Sequence, residues 1–360
     1  HYPCSFCTRS VSASPPSREE SVTASVHDTV KYSGPSLKTI AAPVRPHLDP
    51  FDDVFNRSIR STIPLVDLVA KYVIHRKGKK VRPILVLLSA GLCGTVNERS
   101  YRGAALVEIL HTATLIHDDV IDEADTRRGF PSINAIWKNK ISILMGDYLL
   151  ARGLLLCLDN DDFRFLKITS TSVKRMSEGE IHQIQKSRRL DIDEPTYMRI
   201  IADKTASLLA TCCEIGAASV TDDPHMNRKL SEYGENVGMA FQIRDDLLDY
   251  VGRTRITGKP TGLDLSDRKL TLPLIHALEK GSKKEGRQIL ELIKEGGKRI
   301  RSGDVERVRS FVEENGGLDY ASSKAHVFAA AAKEALESFP DSPSKESLVQ
   351  FAEFVVDRDK

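Results

Sequence analysis

Aromatic residues are scarce in this chain, at 6% of its 360 positions and with a single Trp. That leaves too few rings for a base-stacking or sugar-stacking surface. Charge of one sign is missing too. The formal net charge is +2, too near neutral for a basic footprint spread over the chain, so no nucleic-acid partner is expected. The six cysteines are scattered. Cys212 and Cys213 are neighbours that can hardly bridge each other, so no disulfide framework is expected and a reducing compartment fits. Cys4 and Cys7 form a lone CxxC without a second pair to complete a zinc site. No run reaches the roughly 18 apolar residues of a transmembrane helix, and no integral membrane segment is expected. An alternating strand pattern and a short-period repeat are also lacking, which excludes β-rich and solenoid folds.

What the chain does have is 41% hydrophobic and 28% charged residues, the balance of a globular protein. Residues 1–47 stand apart. They are rich in Ser, Thr and Pro and lack apolar periodicity, so a disordered leader is expected. A transit-peptide remnant would place the protein in an organelle, but Glu19, Glu20 and Asp28 weaken that reading, and the cytoplasm is the expected location. Residues 48–360 read as one all-helical domain. Phe51, Val54, Phe55, Ile59, Ile63, Val66, Val69, Ala70 and Val73 keep three- and four-residue spacing. Helical stretches follow at about 82–92, 97–124, 140–158, 163–187, 195–218, 225–252 and 270–280, with shorter amphipathic ones to 356. Breakers separate them at Gly94, Gly129-Phe130-Pro131, Pro195, Pro224 and the run 258–262. The expected fold is all-α, a bundle of ten or more helices in one domain.

Two acidic clusters carry the chemistry. In His111-Thr-Ala-Thr-Leu-Ile-His-Asp-Asp-Val-Ile-Asp122, Asp118 and Asp122 share a helix face, with Asp119 turned about 100° aside. Three carboxylates in an apolar helix repel one another and are costly to desolvate. A hard cation such as Mg²⁺ would neutralise them, and it commonly shares carboxylates with substrate phosphates. The same DDxxD spacing returns in Phe241-Gln-Ile-Arg-Asp-Asp-Leu-Leu-Asp249. Facing each other across a bundle core, the two clusters would hold metals around one polyphosphate. Cations to balance phosphate sit at helix breaks: Lys79 and Arg82 entering a buried helix, Arg127 and Arg128 after the first cluster, Lys204, and Lys259 and Lys269 around the loop after the second.

The ordered set GKxxRP, DDxxD with RRG, Lys204-Thr205, FQIRDDLLD and GKPTGLDL leading to KLTLP resembles the trans-polyprenyl diphosphate synthase family from about Phe51 onward. The resemblance implies the isoprenoid-synthase helical fold and Mg²⁺-dependent, head-to-tail addition of isopentenyl diphosphate to an allylic diphosphate. By it, Lys79, Arg82 and His111, helped by Arg128, would bind isopentenyl diphosphate. Arg127, Lys204, Thr205, Gln242, Lys259 and Lys269 would hold the allylic diphosphate. Asp118 and Asp122, supported by Asp119, and Asp245 and Asp249 with Asp246 would hold about three Mg²⁺ ions per active site. Homodimers are common in the family. The loop departs from the family pattern at Asp267-Arg268, where many relatives carry Gly before the last Lys.

Chain length follows from the same likeness. In that fold the growing tail descends along the helix that carries the first cluster, and short-chain relatives place an aromatic four or five residues upstream. Here those positions are Thr114 and Ala113, both small, with Leu110, Val107 and Leu106 deeper. Leu144, Leu149, Leu150, Leu154 and Leu155 are expected to form the far wall. A long all-trans product for quinone side chains is the expectation. The alternatives are a geranylgeranyl- or farnesyl-type synthase, a class I terpene cyclase, or a non-catalytic partner subunit. The complete second DDxxD and isopentenyl site disfavour the last two.

Overall fold

The computed structural model describes residues 34–75, 78–127, 130–251, 265, 268–296 and 301–358. The chain divides into His1–Tyr32, outside the described residues, and Ser33–Lys360. The helices of the second unit, in order, are α1 (Leu37–Ile40), α2 (Leu48–Ser58), α3 (Pro64–His75), α4 (Val81–Cys93), α5 (Glu98–Ile121), α6 (Ile133–Leu158), α7 (Phe163–Arg189), α8 (Glu194–Ile201), α9 (Ser207–Ala218) and α10 (Pro224–Val251). Then come α11 (Leu272–Lys280), α12 (Lys283–Gly296), α13 (Ser302–Glu314), α14 (Gly317–Ala335) and α15 (Pro343–Asp357). The only strands among the described residues are β1 (Thr126–Arg127) and β2 (Phe130–Pro131), an antiparallel ribbon after α5. The fold is all-helical, as the periodicity requires.

The core forms where α4, α5, α9 and α10 meet, with α14 and α15 against α10. Helices α4 and α9 are apolar nearly all round and correspondingly buried. Small residues let these backbones come close. A Cβ on Gly216 of α9 would lie 2.3 Å from the Val86 carbonyl oxygen and 2.7 Å from the Ser89 Cβ of α4. Backbone cannot swing aside as a side-chain tip can, so Gly216→Ala should cost about 1–3 kcal/mol. A thermal melt checks this: a midpoint within a degree of wild type would mean that α4 and α9 can slide apart freely.

The structure corrects the element boundaries in four places. Leu37–Ile40 is helical, Ala42–His47 is a 3-10 turn, and Ile40 and Val44 are buried. His47 Nδ1 lies 2.9 Å from the Tyr101 hydroxyl. The domain therefore starts well before residue 48, because these few apolar side chains find a core that local composition does not reveal. The leader expectation for residues 1–33 lies outside the described residues. The periodic run 51–73 is two helices, since Pro64 opens α3 and Pro disfavours helical backbone at the residue before it. Helix α6 begins at Ile133, not near 140, and is broken at Lys138, whose φ of 67° is not helical. Finally, the stretch 195–218 is interrupted by a π turn, Ala202–Ala206.

By length and composition alone α6 could cross a membrane, although a core helix passes the same test. The side carrying Ser142, Met145, Gly146, Leu149, Gly153 and Cys157 is buried, while Ile143, Leu144, Leu154, Leu155 and Leu158 are exposed. Of the five leucines expected to wall the cavity, Leu149 is buried and Leu150 half-buried; Leu144, Leu154 and Leu155 face outward. At 100° per residue, 144 and 155 share one face and 149 lies on the other. Of the expected wall residues, Leu149 is the one that the fold buries.

Candidate functional site

Both acidic clusters end their helices. Helix α5 starts with a capping box, Asn97 accepting from the Arg99 and Ser100 amides, and stops with Asp122 at its C-cap. Asp118, Asp119 and Asp122 therefore sit at the carbonyl end, where the helix dipole is already negative and where no basic residue occupies the last turn. Asp245, Asp246 and Asp249 lie in the last turns of α10, which also has no basic residue in its final turn. Two negative helix ends concentrate a demand for cations.

Within each cluster the roles divide by burial. Asp119 (4% exposed) and Asp246 (6%) are buried, whereas Asp122 and Asp245 are exposed and Asp118 and Asp249 half-buried. Asp246 is a scaffold member. The Tyr197 hydroxyl donates to its Oδ2 at 2.6 Å, and Gln242 Nε2 donates to its Oδ1 at 2.8 Å. Gln242 Oε1 in turn accepts from Thr205 Oγ1 at 2.8 Å. Asp245 forms an ion pair with Arg358, whose guanidinium lies 4.0 Å from the Phe241 ring centroid and whose carbonyl accepts from Arg244 at 2.9 Å.

Beside this chain of bonds lies a cavity of about 90 Å³. Lys204, Thr205, Gln242, Asp246 and Lys269 all line it, so five expected site residues meet there, together with Tyr197. The π turn explains why Lys204 and Thr205 can both serve it. One extra residue per turn re-aims side chains that a regular helix would spread, and such turns recur at functional sites. The turn is pinned by Arg175, which donates to Asp203 at 2.8 Å and to Glu235 at 2.7 Å. Lys204 donates to Gln183 Oε1 at 2.9 Å and pairs with Glu180.

Lys269 reaches the cavity although Arg268 replaces the glycine of the family pattern. Arg268 takes φ 57°, the left-handed region that glycine favours, and donates to the Lys294 carbonyl at 2.7 Å. A residue with a side chain thus holds a backbone conformation that glycine would adopt without strain.

On the other side, Lys79 is exposed on the turn before α4, Arg82 is half-buried, and His111 is half-buried on α5. Lys80 between them is held in left-handed backbone (φ 54°) and pairs with Asp52 at 2.6 Å. Burial pushes the Cys212 thiol well up, and Arg82 and Glu108 both lie close enough to bias it. The Arg127 backbone forms β1; its side chain, Arg128 and Lys259 lie outside the described residues.

Among the described residues no three carboxylate, His or Cys side chains are gathered closely enough to hold a metal by themselves. The donor set still suits one class of ion. Asp118 with Asp122, and Asp245 with Asp249, offer carboxylate oxygens alone, the hard donors that Mg²⁺ or Ca²⁺ takes together with phosphate oxygens. Along α5, Ala113 and Leu110 are buried, and Thr114 donates to the His111 carbonyl at 2.8 Å. Gly153 of α6 faces Leu110, Ile109 and Leu106; a Cβ there would meet them at 3.3–3.6 Å.

Tyr197, Gln183, Glu180 and Arg358 were not legible in the motifs. Only Tyr197, seven residues before Lys204 and so about two turns away on a helix, carried a usable signal.

The family model for polyprenyl synthetase matches residues 63–326. The chain is 38% identical over 320 residues to an all-trans-nonaprenyl-diphosphate synthase (geranyl-diphosphate specific) of Rhodobacter capsulatus, covering 89% of this chain and 97% of the relative. A crystal structure of a decaprenyl diphosphate synthase from Rhodobacter capsulatus superposes with TM-score 0.84 at 34% identity, over 90% of this chain and 100% of that one. A polyprenyl synthase from Caulobacter crescentus, crystallised with calcium and isoprenyl diphosphate, gives TM-score 0.83 at 33% identity over 92% of this chain and 100% of the other. With the helical core, the two acidic helix ends and the cationic cavity, these matches show that the chain belongs to the polyprenyl synthetase family of prenyltransferases.

Proposed function

We propose that the chain is a trans-polyprenyl diphosphate synthase that adds isopentenyl diphosphate head to tail to an allylic diphosphate, building a long all-trans product for quinone side chains. The observation that carries this reading is the cavity in which Lys204, Thr205, Gln242 and Lys269 meet beside the second acidic cluster. Lys204 and Lys269 present ammonium groups to the allylic diphosphate, and Arg127 and Lys259 are the further cations that the family motifs assign to it. Lys79, Arg82, His111 and Arg128 hold isopentenyl diphosphate at a separate place, so two diphosphates are bound at once and condensation wins over hydrolysis. Asp118, Asp122, Asp245 and Asp249 would hold Mg²⁺, which when bound stabilises negative charge on the leaving diphosphate.

The reaction balances without a protein base. The allylic C1–O bond breaks and its electron pair leaves with diphosphate. The double bond of isopentenyl diphosphate then bonds to C1, and a proton from its C2 passes to the departing diphosphate. Buried Ala113, Leu110 and Leu149 keep water from the cation.

A homodimer fits the outward apolar face of α6 (Ile143, Leu144, Leu154, Leu155 and Leu158), which a second copy would cover. Free cysteines Cys93, Cys157, Cys212 and Cys213 suit a reducing, cytoplasmic setting, or an organelle if the leader is a transit remnant. Mass spectrometry of the product from isopentenyl and farnesyl diphosphates tests the reading. Products of six or more isoprene units are expected. A stop at geranylgeranyl diphosphate would overturn the long-chain assignment, and no elongation would overturn the reaction.

A further inference from the structure

Asp246 is a buried carboxylate on the helix that carries the second acidic cluster, and its setting is imposed from outside that helix. Counting about 100° per residue, Asp245 lies about 100° and Asp249 about 60° to the same side of Asp246. Whatever fixes Asp246 therefore fixes the direction in which the other two point. The Tyr197 hydroxyl, 2.6 Å from Asp246 Oδ2, comes from α8, an eight-residue helix too short to be stable by itself.

Helix α8 is tied at both ends. At its start Glu194 accepts from the Tyr320 hydroxyl at 2.7 Å and pairs with Lys324 at 3.0 Å, both on α14. Lys324 lies 5.3 Å from the centroid of the Tyr320 ring, and His276 of α11 stacks on that ring with centroids 3.9 Å apart. Burial pulls the Glu194 carboxyl upward, yet Tyr320 and Lys324 outweigh it and hold it below the usual range, so the clamp stays ionised. At its end the π turn is held by Arg175 through Asp203. Tyr197 lies between these ties, one turn after Glu194, and borders the cavity with Lys204 and Lys269.

We propose that Tyr197 is a positioning residue that locks Asp246, and through it Asp245 and Asp249, to the diphosphate pocket, and that the Glu194–Tyr320–Lys324 clamp holds Tyr197 in place. The assignment rests on the proposed condensation for its kinetic consequence, but not for its effect on anion binding. Diphosphate held by Lys204 and Lys269 and metal held by Asp245 and Asp249 are then set by one hydrogen-bond chain, Thr205 to Gln242 to Asp246 from one side and Tyr197 from the other. Groups that orient metal-binding carboxylates typically change metal affinity 10–100-fold when removed.

The test is Tyr197→Phe in the full chain, which removes one oxygen and keeps the ring. The Michaelis constant for farnesyl diphosphate and the Mg²⁺ concentration for half-maximal rate should each rise about tenfold, with that for isopentenyl diphosphate within about twofold. Calorimetry with inorganic pyrophosphate and Mg²⁺, without turnover, should show the same weakening. Glu194→Gln should shift the same quantities in the same direction by a smaller factor, and it carries the test if Tyr197→Phe does not fold. A variant that lowers only the melting temperature, or that shifts both substrates equally, would overturn the assignment. If wild type failed to elongate but Tyr197→Phe still weakened pyrophosphate binding, the reaction would fall while the positioning role stood.

Discussion

Asp118→Asn and Asp245→Asn should each lower kcat/KM by about 10²–10³-fold while leaving the fold intact. The substitution is nearly isosteric and removes one negative charge. Asp118 is half-buried and Asp245 exposed, so neither anchors the core. Removing a carboxylate from the carbonyl end of a helix even relieves an unfavourable dipole interaction of about 0.3–1 kcal/mol. Asp245 loses its pairing with Arg358, but with the carboxylate 44% exposed the pair contributes about 0–1 kcal/mol. Asp246→Asn should behave differently. Its carboxylate is buried between the Tyr197 and Gln242 donors, and an amide can satisfy only one of them in the same way. It should lower stability by about 1–3 kcal/mol in addition to its effect on rate. Paired kinetics and thermal melts separate the cases. Mg²⁺ with inorganic pyrophosphate should raise the wild-type melting temperature and lose that effect in Asp118→Asn. Retention of near-wild-type turnover by Asp118→Asn and Asp245→Asn would end the assignment of these groups as the metal-holding pair.

The contrast between Asp245 and Asp246 shows where sequence reading stops. Spacing alone shows that three Asp fall in the last turns of a helix, and the 3.6-residue period shows which two share a face. It does not show which carboxylate is buried, because burial is decided by Tyr197 and Arg358, 49 and 113 residues away in sequence. The helices were legible because their apolar stripes repeat over several turns. The π turn at 202–206 was not, since one inserted residue leaves composition and overall periodicity almost unchanged. Residues 37–47 escaped for the opposite reason. Four to six residues are too few for a period to register, although Ile40 and Val44 are as buried as any core side chain. Pro64 was a readable breaker that the surrounding apolar spacing outweighed. The outward face of α6 was misassigned because a helix rich in leucine on all sides has no moment to say which leucines look inward.

Ala113→Phe should shorten the product to about geranylgeranyl length with turnover largely kept. Ala113 is 3% exposed on α5, five residues before Asp118, and small. A phenyl group there meets whatever the seam between α5 and α6 contains. If the seam is only packed core, the added volume is overpacking and costs about 1–3 kcal/mol without altering product length. If it is the path of the growing tail, the ring closes that path. The helix offers a graded control, because each residue advances the blocking point by about 1.5 Å. Leu110→Phe lies about 4.5 Å deeper than Ala113→Phe and should stop elongation later, while Leu110→Ala should let it run further. Gly153 stands across from Leu110, so Gly153→Leu should shorten the product from the opposite wall. Mass spectrometry of each product, with a melt to confirm folding, decides between the cases. Lengths that follow depth along α5 cannot arise from destabilisation, which has no reason to rank by position. An unchanged product from folded Ala113→Phe and Leu110→Phe enzymes would remove the small residues before Asp118 from the account of chain length.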